Sequence, residues 1–163
     1  EYGGAMGGVI NMITKSGGNQ FSGSFRANFA NEAWEGETPL TTNQEDTINT
    51  IYEATFGGYV LRDKLWFFAA ARDRDRSSSD QYYDLTPLPQ TDKETRYEAK
   101  LTWAINPNHR VIGSYMQVDR EQTNILGNSR TPMEPSYVDP SREQPMDSLA
   151  LNYTGVLSES FFL

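Results

Sequence analysis

The sequence predicts an all-β fold, arranged as an antiparallel up-and-down meander, and three observations lead to that prediction. Apolar and polar residues alternate with period two over several segments, as they do on strands whose successive side chains point to opposite faces. Long polar stretches and short turns alternate between those segments. The 163 residues are 12% aromatic but only 37% hydrophobic, and none is Cys. A transmembrane β-barrel has such a composition, because only one face of each strand meets lipid.

Six segments have the pattern of strands, and a seventh begins where the sequence ends. In the clearest, residues 96–105, the apolar face carries Tyr97, Ala99, Leu101, Trp103 and Ile105, and the polar face carries Arg96, Glu98, Lys100 and Thr102. The others are Phe21–Ala30, Thr47–Tyr59, Lys64–Arg74, His109–Arg120, Leu149–Leu157 and the short Phe161–Leu163. In His109–Arg120 the pattern leaves the facing open, because Ile112, Met116 and Val118 compete with Val111 and Tyr115.

The connections between these segments alternate in length. The short ones lie near residues 62, 107 and 159, and the long ones are Asn31–Asp46, Asp75–Asp92 and Glu121–Pro145. Polar loops of this length are uncommon in compact domains. Outer-membrane barrels, however, have short turns on the periplasmic side and long loops outside. The pattern therefore predicts that the three short turns share one end of the sheet.

Two stretches carry a resemblance to a known family. The opening EYGGAMGGVINMITKSGGNQFSGSF resembles the end of the plug domain and the start of the barrel in TonB-dependent outer-membrane receptors. Residues 57–73, GGYVLRDKLWFFAAARD, are similar to a strand, turn and strand of the Oar-like subgroup. The resemblance implies that residues 1–19 end a plug and that residues 20–163 are the N-terminal strands of a transmembrane β-barrel. Residues 9–13 would form the last plug strand, and Gly17 and Gly18 would turn the chain into the barrel wall.

The same resemblance implies a function and a location. The protein would be a receptor in the outer membrane of a Gram-negative type of cell, where it takes up a ligand such as a siderophore, a glycan or a peptide. Its partners would be outer-membrane lipid and the TonB complex, which it would contact through a segment upstream of this sequence. No enzyme activity and no cofactor are implied. Two alternatives stay open: a secreted β-sandwich that binds carbohydrate, and an outer-membrane barrel that acts as an adhesin or structural protein.

The alternation assigns candidate site residues to two surroundings. The residues predicted to line the lumen are Glu53, Arg72, Arg96, Glu98 and Lys100. The residues predicted to face lipid are Tyr52, Phe56, Tyr97, Leu101, Trp103 and Tyr153. The charged set has two interpretations, a polar lining joined by salt bridges between strands, or a surface that contacts the plug or the ligand.

Other kinds of site find little support in the sequence. The formal net charge of −8 argues against a nucleic-acid partner, which requires clustered Lys and Arg. The spacing of the first glycines fits neither common phosphate-binding motif. Residues 73–80 lack the Gly and Glu of an EF-hand calcium loop, so we interpret them as a solvated external loop. His109 is the only histidine and adjoins a turn, so no Ser–His–acid triad is predicted. We therefore predict no catalytic, metal-binding or cofactor-binding residue.

Overall fold

The computed structural model describes residues 15–36, 44–81, 86–126, 138–158 and 161–162. Within these ranges the chain forms eight strands and one short 3-10 helix. They are β1 Ser22–Ala30, the 3-10 helix Glu32–Trp34, β2 Asn49–Leu61, β3 Leu65–Gln81, β4 Pro87–Asn106, β5 His109–Leu126, β6 Val138–Glu143, β7 Met146–Ser158 and β8 Phe161–Phe162. No helix in the described ranges is long and apolar enough to cross a membrane. The predicted plug strand at residues 9–13 lies outside the described residues.

The strands form one antiparallel sheet in sequential order, which confirms the predicted meander. The order is β1, β2, β3, β4, β5, β7 and β8, and β6 pairs with β5 beside this path. The turns at residues 62–64 and 107–108 join successive neighbours, so they lie at the same end of the sheet, as predicted. In the second turn the Asn108 N–H donates to Asn106 Oδ1 at 2.9 Å, a local bond that favours turns. The third predicted turn falls on residues 159–160, which lie outside the described residues.

Strands β6 and β7 occupy successive stretches of the same edge of β5. Residues 121–126 of β5 pair with β6, and residues 109–118 pair with β7. Between the two strands the Gln144 N–H donates to the Arg120 carbonyl at 2.8 Å, and Pro145 follows, which has no N–H to donate. The two strands therefore act as one long strand that is interrupted near Pro145.

The predicted external loops are wrong over much of their length, because the strands continue through them. β3 and β4 stay paired from Asp75 opposite Lys93 to Gln81 opposite Pro87, so residues 73–80 belong to β3 rather than to a loop. β5 likewise runs to Leu126 and pairs with β6. The physical reason is that period-two alternation arises only where one face meets apolar surroundings. A strand that continues into water is polar on both faces and shows no such signal.

The register of the strands sorts their side chains into two opposite faces. Directly paired residues of neighbouring antiparallel strands share a face. What we call the apolar face carries Phe25, Tyr52, Phe56, Phe67, Tyr97, Leu101, Trp103, Val111, Tyr115, Leu149, Leu151 and Tyr153. What we call the charged face carries Arg26, Glu53, Arg72, Arg74, Asp92, Glu94, Arg96, Glu98, Lys100, Met116, Val118 and Arg120. The facing of β5, which the sequence left open, is thereby settled.

Exposure differs strongly between the two faces. On the apolar face Leu149 is 82% exposed and Phe25 is 72% exposed, whereas on the charged face Val118 and Glu94 are each only 7% exposed. Side chains crowd together on the inside of a curved sheet and spread apart on the outside. The exposures therefore indicate that the sheet curves toward its charged face.

On β3, β4 and β5 the apolar face ends at a polar row. Asp73, Thr95 and Asp119 lie opposite one another on β3, β4 and β5, one row beyond Tyr97. From Tyr97 to Ile105 the apolar part of β4 is nine residues long. A tilted strand needs about 9–11 residues to cross a bilayer. Since β4 has 20 residues, about half of it extends beyond this apolar part.

Candidate functional site

A ladder of ion pairs crosses the charged face from β1 to β5. Its members are five arginines and three carboxylates, namely Arg26, Arg72, Arg74, Arg96, Arg120, Glu53, Asp92 and Glu94. Each carboxylate lies within 4 Å of two or three arginines, which are on its own strand or on a neighbouring strand. Among the described residues, this ladder has two more positive than negative charges, although the whole chain has a net charge of −8.

The part of the ladder around Asp92 is tightly bonded. Arg120 donates from Nε to Asp92 Oδ1 at 2.9 Å and from Nη2 to Oδ2 at 2.8 Å, and Arg74 Nη2 donates to the same Oδ2 at 2.9 Å. Two parallel bonds from one guanidinium are among the stronger side-chain interactions. The bond from Arg120, with the charges of Arg74 and Arg120, lowers the pKa of the Asp92 carboxyl, and partial burial opposes them. Asp92 thus joins β3, β4 and β5 beyond the apolar part of the sheet.

The part around Glu53 is loosely bonded. Arg26 and Arg72 lie 3.5 and 3.7 Å from Glu53, and Arg72 and Arg96 lie 3.9 and 3.5 Å from Glu94. These distances are too long for good hydrogen bonds. Within the described residues, the buried Nε atoms of Arg72, Arg74 and Arg96 and the Oε1 atom of Glu94 have no hydrogen-bond partner. Buried polar atoms of this kind call for an explanation, because leaving them unpaired costs free energy.

The loosely bonded residues surround a concavity of about 350 Å³. Its charged lining residues are Lys15, Arg26, Glu53, Arg72, Arg96 and Glu98. Four of them are cations and two are carboxylates, so the lining is net positive. Ser24, Thr55 and Ala70 lie among them and leave the centre open, because their side chains are short.

The segment of residues 15–19, which we call the hinge, is tied to the turn between β2 and β3 by Asn19. Its Oδ1 accepts from the Asp63 N–H at 3.0 Å and from Trp66 Nε1 at 2.7 Å, and its Nδ2 donates to Asp63 Oδ1. One amide side chain therefore makes three bonds to residues 44 to 47 positions away. These bonds fix the hinge to the turn between β2 and β3.

Two glycines allow the hinge and Phe21 to lie close to the wall. A Cβ atom on Gly17 would meet the carbonyl oxygens of Phe67 and Gly58, so only glycine fits where the hinge passes β2 and β3. A Cβ atom on Gly58 would meet the ring of Phe21. That ring also contacts Phe56, Tyr59 and Phe67, with centroids 6.1, 4.6 and 6.4 Å away. Close packing of Gly17 and Phe21 against β2 and β3 thus fixes the path by which the chain enters β1.

The structure places the predicted site residues on opposite faces. All five residues predicted to line the lumen lie on the charged face, where Glu53, Arg72 and Arg96 join the ladder and Glu98 lines the concavity. All six residues predicted to face lipid lie on the apolar face. The assignment of these faces to lumen and lipid stays a prediction.

Sequence reasoning missed several members of the site. It did not select Lys15, Asn19, Arg26, Arg74, Asp92, Glu94 and Arg120. One signal was available in Arg72-Asp73-Arg74-Asp75-Arg76, where charges of opposite sign alternate with period two. On a strand this run places its arginines on one face and its aspartates on the other.

The single histidine has a structural contact. His109 Nδ1 hydrogen-bonds the Tyr153 hydroxyl, and their rings stack with centroids 6.0 Å apart. The pair joins β5 to β7 next to the buried Gly155. In the part of the chain that the structure describes, no group of three or more His, Asp or Glu residues could hold a metal ion.

Comparison with known proteins supports an outer-membrane location. Residues 13–90 match the family model of the outer membrane beta barrel domain. Over 77 residues the chain is 44% identical to the TonB-dependent transporter Oar of Myxococcus xanthus. By these matches the chain is similar to the TonB-dependent outer-membrane receptors of the Oar-like type, and it carries strands of an outer-membrane β-barrel. The match covers 42% of this chain and 7% of the length of the M. xanthus protein. No solved structure shows a significant match.

An outer-membrane β-barrel explains why the sheet has two unlike faces. The described strands are part of a transmembrane β-barrel in the outer membrane, and within the described residues the sheet does not close on itself. In such barrels the strands alternate between lipid and a polar interior. The hinge precedes β1, the first strand of the described sheet.

The Asn19 bonds predict a local change in hydrogen exchange. In an Asn19→Ala variant of the full-length receptor, the Asp63 amide loses its acceptor, and its exchange should become about 5- to 10-fold faster, since a hydrogen bond contributes about 1 kcal/mol. The neighbouring Lys64 amide donates to the Leu61 carbonyl at 3.2 Å and is the internal control. Equal acceleration of both amides would mean that the turn itself had unfolded, and no acceleration of Asp63 would contradict the Asn19 bond.

The Asp92 bonds predict a pH-dependent opening of the β3–β4 hairpin. Because the pKa of folded Asp92 is lowered, its contribution is present above the unfolded pKa of about 3.9 and is lost as the pH falls through the folded value. Asp92→Asn should lower the free energy of opening by about 1 kcal/mol at neutral pH and remove this pH dependence. Hydrogen exchange of β3 and β4 amides measures both effects.

Asp75→Asn is the matched control in the same hairpin. Asp75 pairs with Lys93 at 3.6 Å, and both side chains are about half exposed. Exposed pairs contribute little, so this variant should change the opening free energy by less than about 0.5 kcal/mol. Equal effects of the two substitutions would contradict the role given to Asp92.

Proposed function

We propose that the protein carrying this chain imports a ligand across the outer membrane by TonB-dependent transport. The observation that carries the proposal is the 44% identity, over 77 residues, with a protein named as a TonB-dependent transporter. The matched outer membrane beta barrel domain agrees with it. Residues 1–19 would end the plug domain, and the TonB complex would act on a segment upstream of them.

The proposal assigns the apolar face to lipid and the charged face to the lumen. In lipid no water is present to solvate charges, so arginines and acids on that side would cost several kcal/mol. On the charged face, each charged side chain of the ladder lies close to at least one side chain of opposite charge. The curvature toward the charged face supports the same assignment, since a closed barrel has its lumen on the concave side.

The hinge supports the proposed transport mechanism. If the TonB complex pulls on the plug, the applied force reaches the wall through residues 15–19. Three bonds of Asn19 hold this segment to the β2–β3 turn. Unfolding of the plug would then stop at Asn19, while the barrel keeps its register. The ligand would enter the space that the plug vacates.

Two other functions have less support. A secreted β-sandwich would bury its apolar face against a second sheet, whereas here Leu101, Leu149 and Leu151 are more than half exposed. An adhesin or structural barrel has no use for a closely packed hinge that leads away from β1. The similarity to a transporter favours uptake over both.

The lipid assignment predicts unequal effects of substitutions at neighbouring residues of β4. Leu101→Arg should sharply reduce folding of the full-length receptor into bilayers, because an Arg on the lipid side costs about 2–4 kcal/mol near the midplane. Lys100→Gln on the other face should fold nearly as well as the wild type. Folded and unfolded fractions can be measured by heat-modifiable migration in gels. Normal insertion of Leu101→Arg together with failure of Lys100→Gln would reverse the facing.

The transport proposal predicts uptake that depends on TonB. Cells with the receptor should deplete at least one compound from their medium, as measured by untargeted mass spectrometry. This depletion should disappear in cells without the receptor and in cells without TonB, because the energy for opening comes through TonB. Depletion that persists without TonB would indicate a passive barrel, and unchanged medium in every strain would favour an adhesin or structural role.

A further inference from the structure

We propose that the concavity beside Glu53 is a subsite for an anionic group of the transported ligand, a carboxylate or a phosphate. The inference rests on the proposed function in one respect, since it takes the charged face to line the lumen. It goes beyond that function because it specifies the chemistry of the ligand and the residues that contact it.

The first step is the division of the ladder into two unlike parts. Around Asp92 the guanidinium groups donate three hydrogen bonds of 2.8 to 2.9 Å, so their charges are used within the wall. Around Glu53 and Glu94 the arginines stay 3.5 to 3.9 Å from the carboxylates, and the side chains of Arg72 and Arg96 are 30% and 35% exposed. The guanidinium groups that are both partly exposed and weakly paired are therefore in the loosely bonded part.

The second step is the sign and shape of the space. Lys15, Arg26, Arg72 and Arg96 surround it with only two carboxylates, Glu53 and Glu98. At neutral pH this gives a surplus of two positive charges in a space of about 350 Å³. Planar guanidinium groups bind carboxylate and phosphate through paired N–H donors. A concave site with walls of low dielectric constant strengthens the electric field of these cations relative to open water.

The third step concerns what fills the space. The hinge contributes Lys15 to the lining, so the described segment that enters the wall adds a positive charge and no acid. An anionic group of a ligand that passes along the lumen complements this surplus of positive charge.

The test measures binding of citrate and of pyrophosphate to the detergent-solubilised full-length receptor by calorimetry. The wild type should bind at least one of these anions saturably, and the double variant Arg72→Gln, Arg96→Gln should bind it about tenfold more weakly or worse. The matched control is Arg76→Gln, four residues from Arg72 on the same face of β3 but outside the concavity. It should change the affinity by less than about twofold.

A second pair of variants covers the case in which the double variant does not fold. Ala70 lies on the floor of the concavity, opposite Thr55 and Glu98 in the neighbouring strands. Ala70→Glu places a tethered carboxylate among the arginines and should abolish anion binding, whereas Ala70→Gln has the same size and should retain most of it. Heat-modifiable migration checks that each variant is folded.

The outcomes separate this inference from the transport proposal. Absence of saturable binding to the wild type, or equal affinities in Ala70→Glu and Ala70→Gln, overturns the subsite. Anion binding that depends on Arg72 and Arg96 supports it even if depletion of the medium proves independent of TonB, in which case only the transport proposal fails. TonB-dependent depletion of the medium without any anion binding supports the transport proposal and overturns only the subsite.

Discussion

Successive residues of a strand point to opposite faces, and the rest of this structure depends on that period of two. The run Arg72-Asp73-Arg74-Asp75-Arg76 shows its effect, because the three arginines lie on the charged face and the two aspartates on the other. A shift of one residue in register would exchange the two sets and would also move Phe67 among the arginines. The ion pairs of the ladder and the burial pattern of the apolar face therefore each favour the same register.

The ladder shows how a single sheet pairs its buried charged side chains. The side chain of Glu94 is only 8% exposed, and it lies within 4 Å of Arg72, Arg74 and Arg96. A buried carboxylate needs such partners, because its removal from water is costly. The compact bonding around Asp92 and the open arrangement around Glu53 have different consequences. The first holds three strands together, and the second leaves weakly paired guanidinium groups around the concavity.

The sequence was sufficient to predict the strands of the apolar region, the facing of β2, β4 and β7, and the two described turns. Leu101 and Lys100 were assigned to opposite faces because lipid and water select opposite residues at adjacent positions. Where both faces meet water, as in residues 75–81 and 87–92, that selection is absent and the strands were mistaken for loops. The bonds of Asn19 and Asp92 were also beyond the sequence, because periodicity gives a face but not the partner on another strand. Partners depend on register, which the turns and bulges determine.

The paired extension of β3 and β4 has a thermodynamic consequence for whatever binds beside it. A flexible loop loses conformational entropy when a ligand orders it, and each immobilised side chain costs about 0.5–1.5 kcal/mol. Residues Asp75–Gln81 and Pro87–Lys93 are already held by cross-strand pairing, and Asp92 fastens them to Arg120 on the next strand. A ligand that contacts this part of the receptor therefore meets a surface whose ordering entropy was lost when the protein folded.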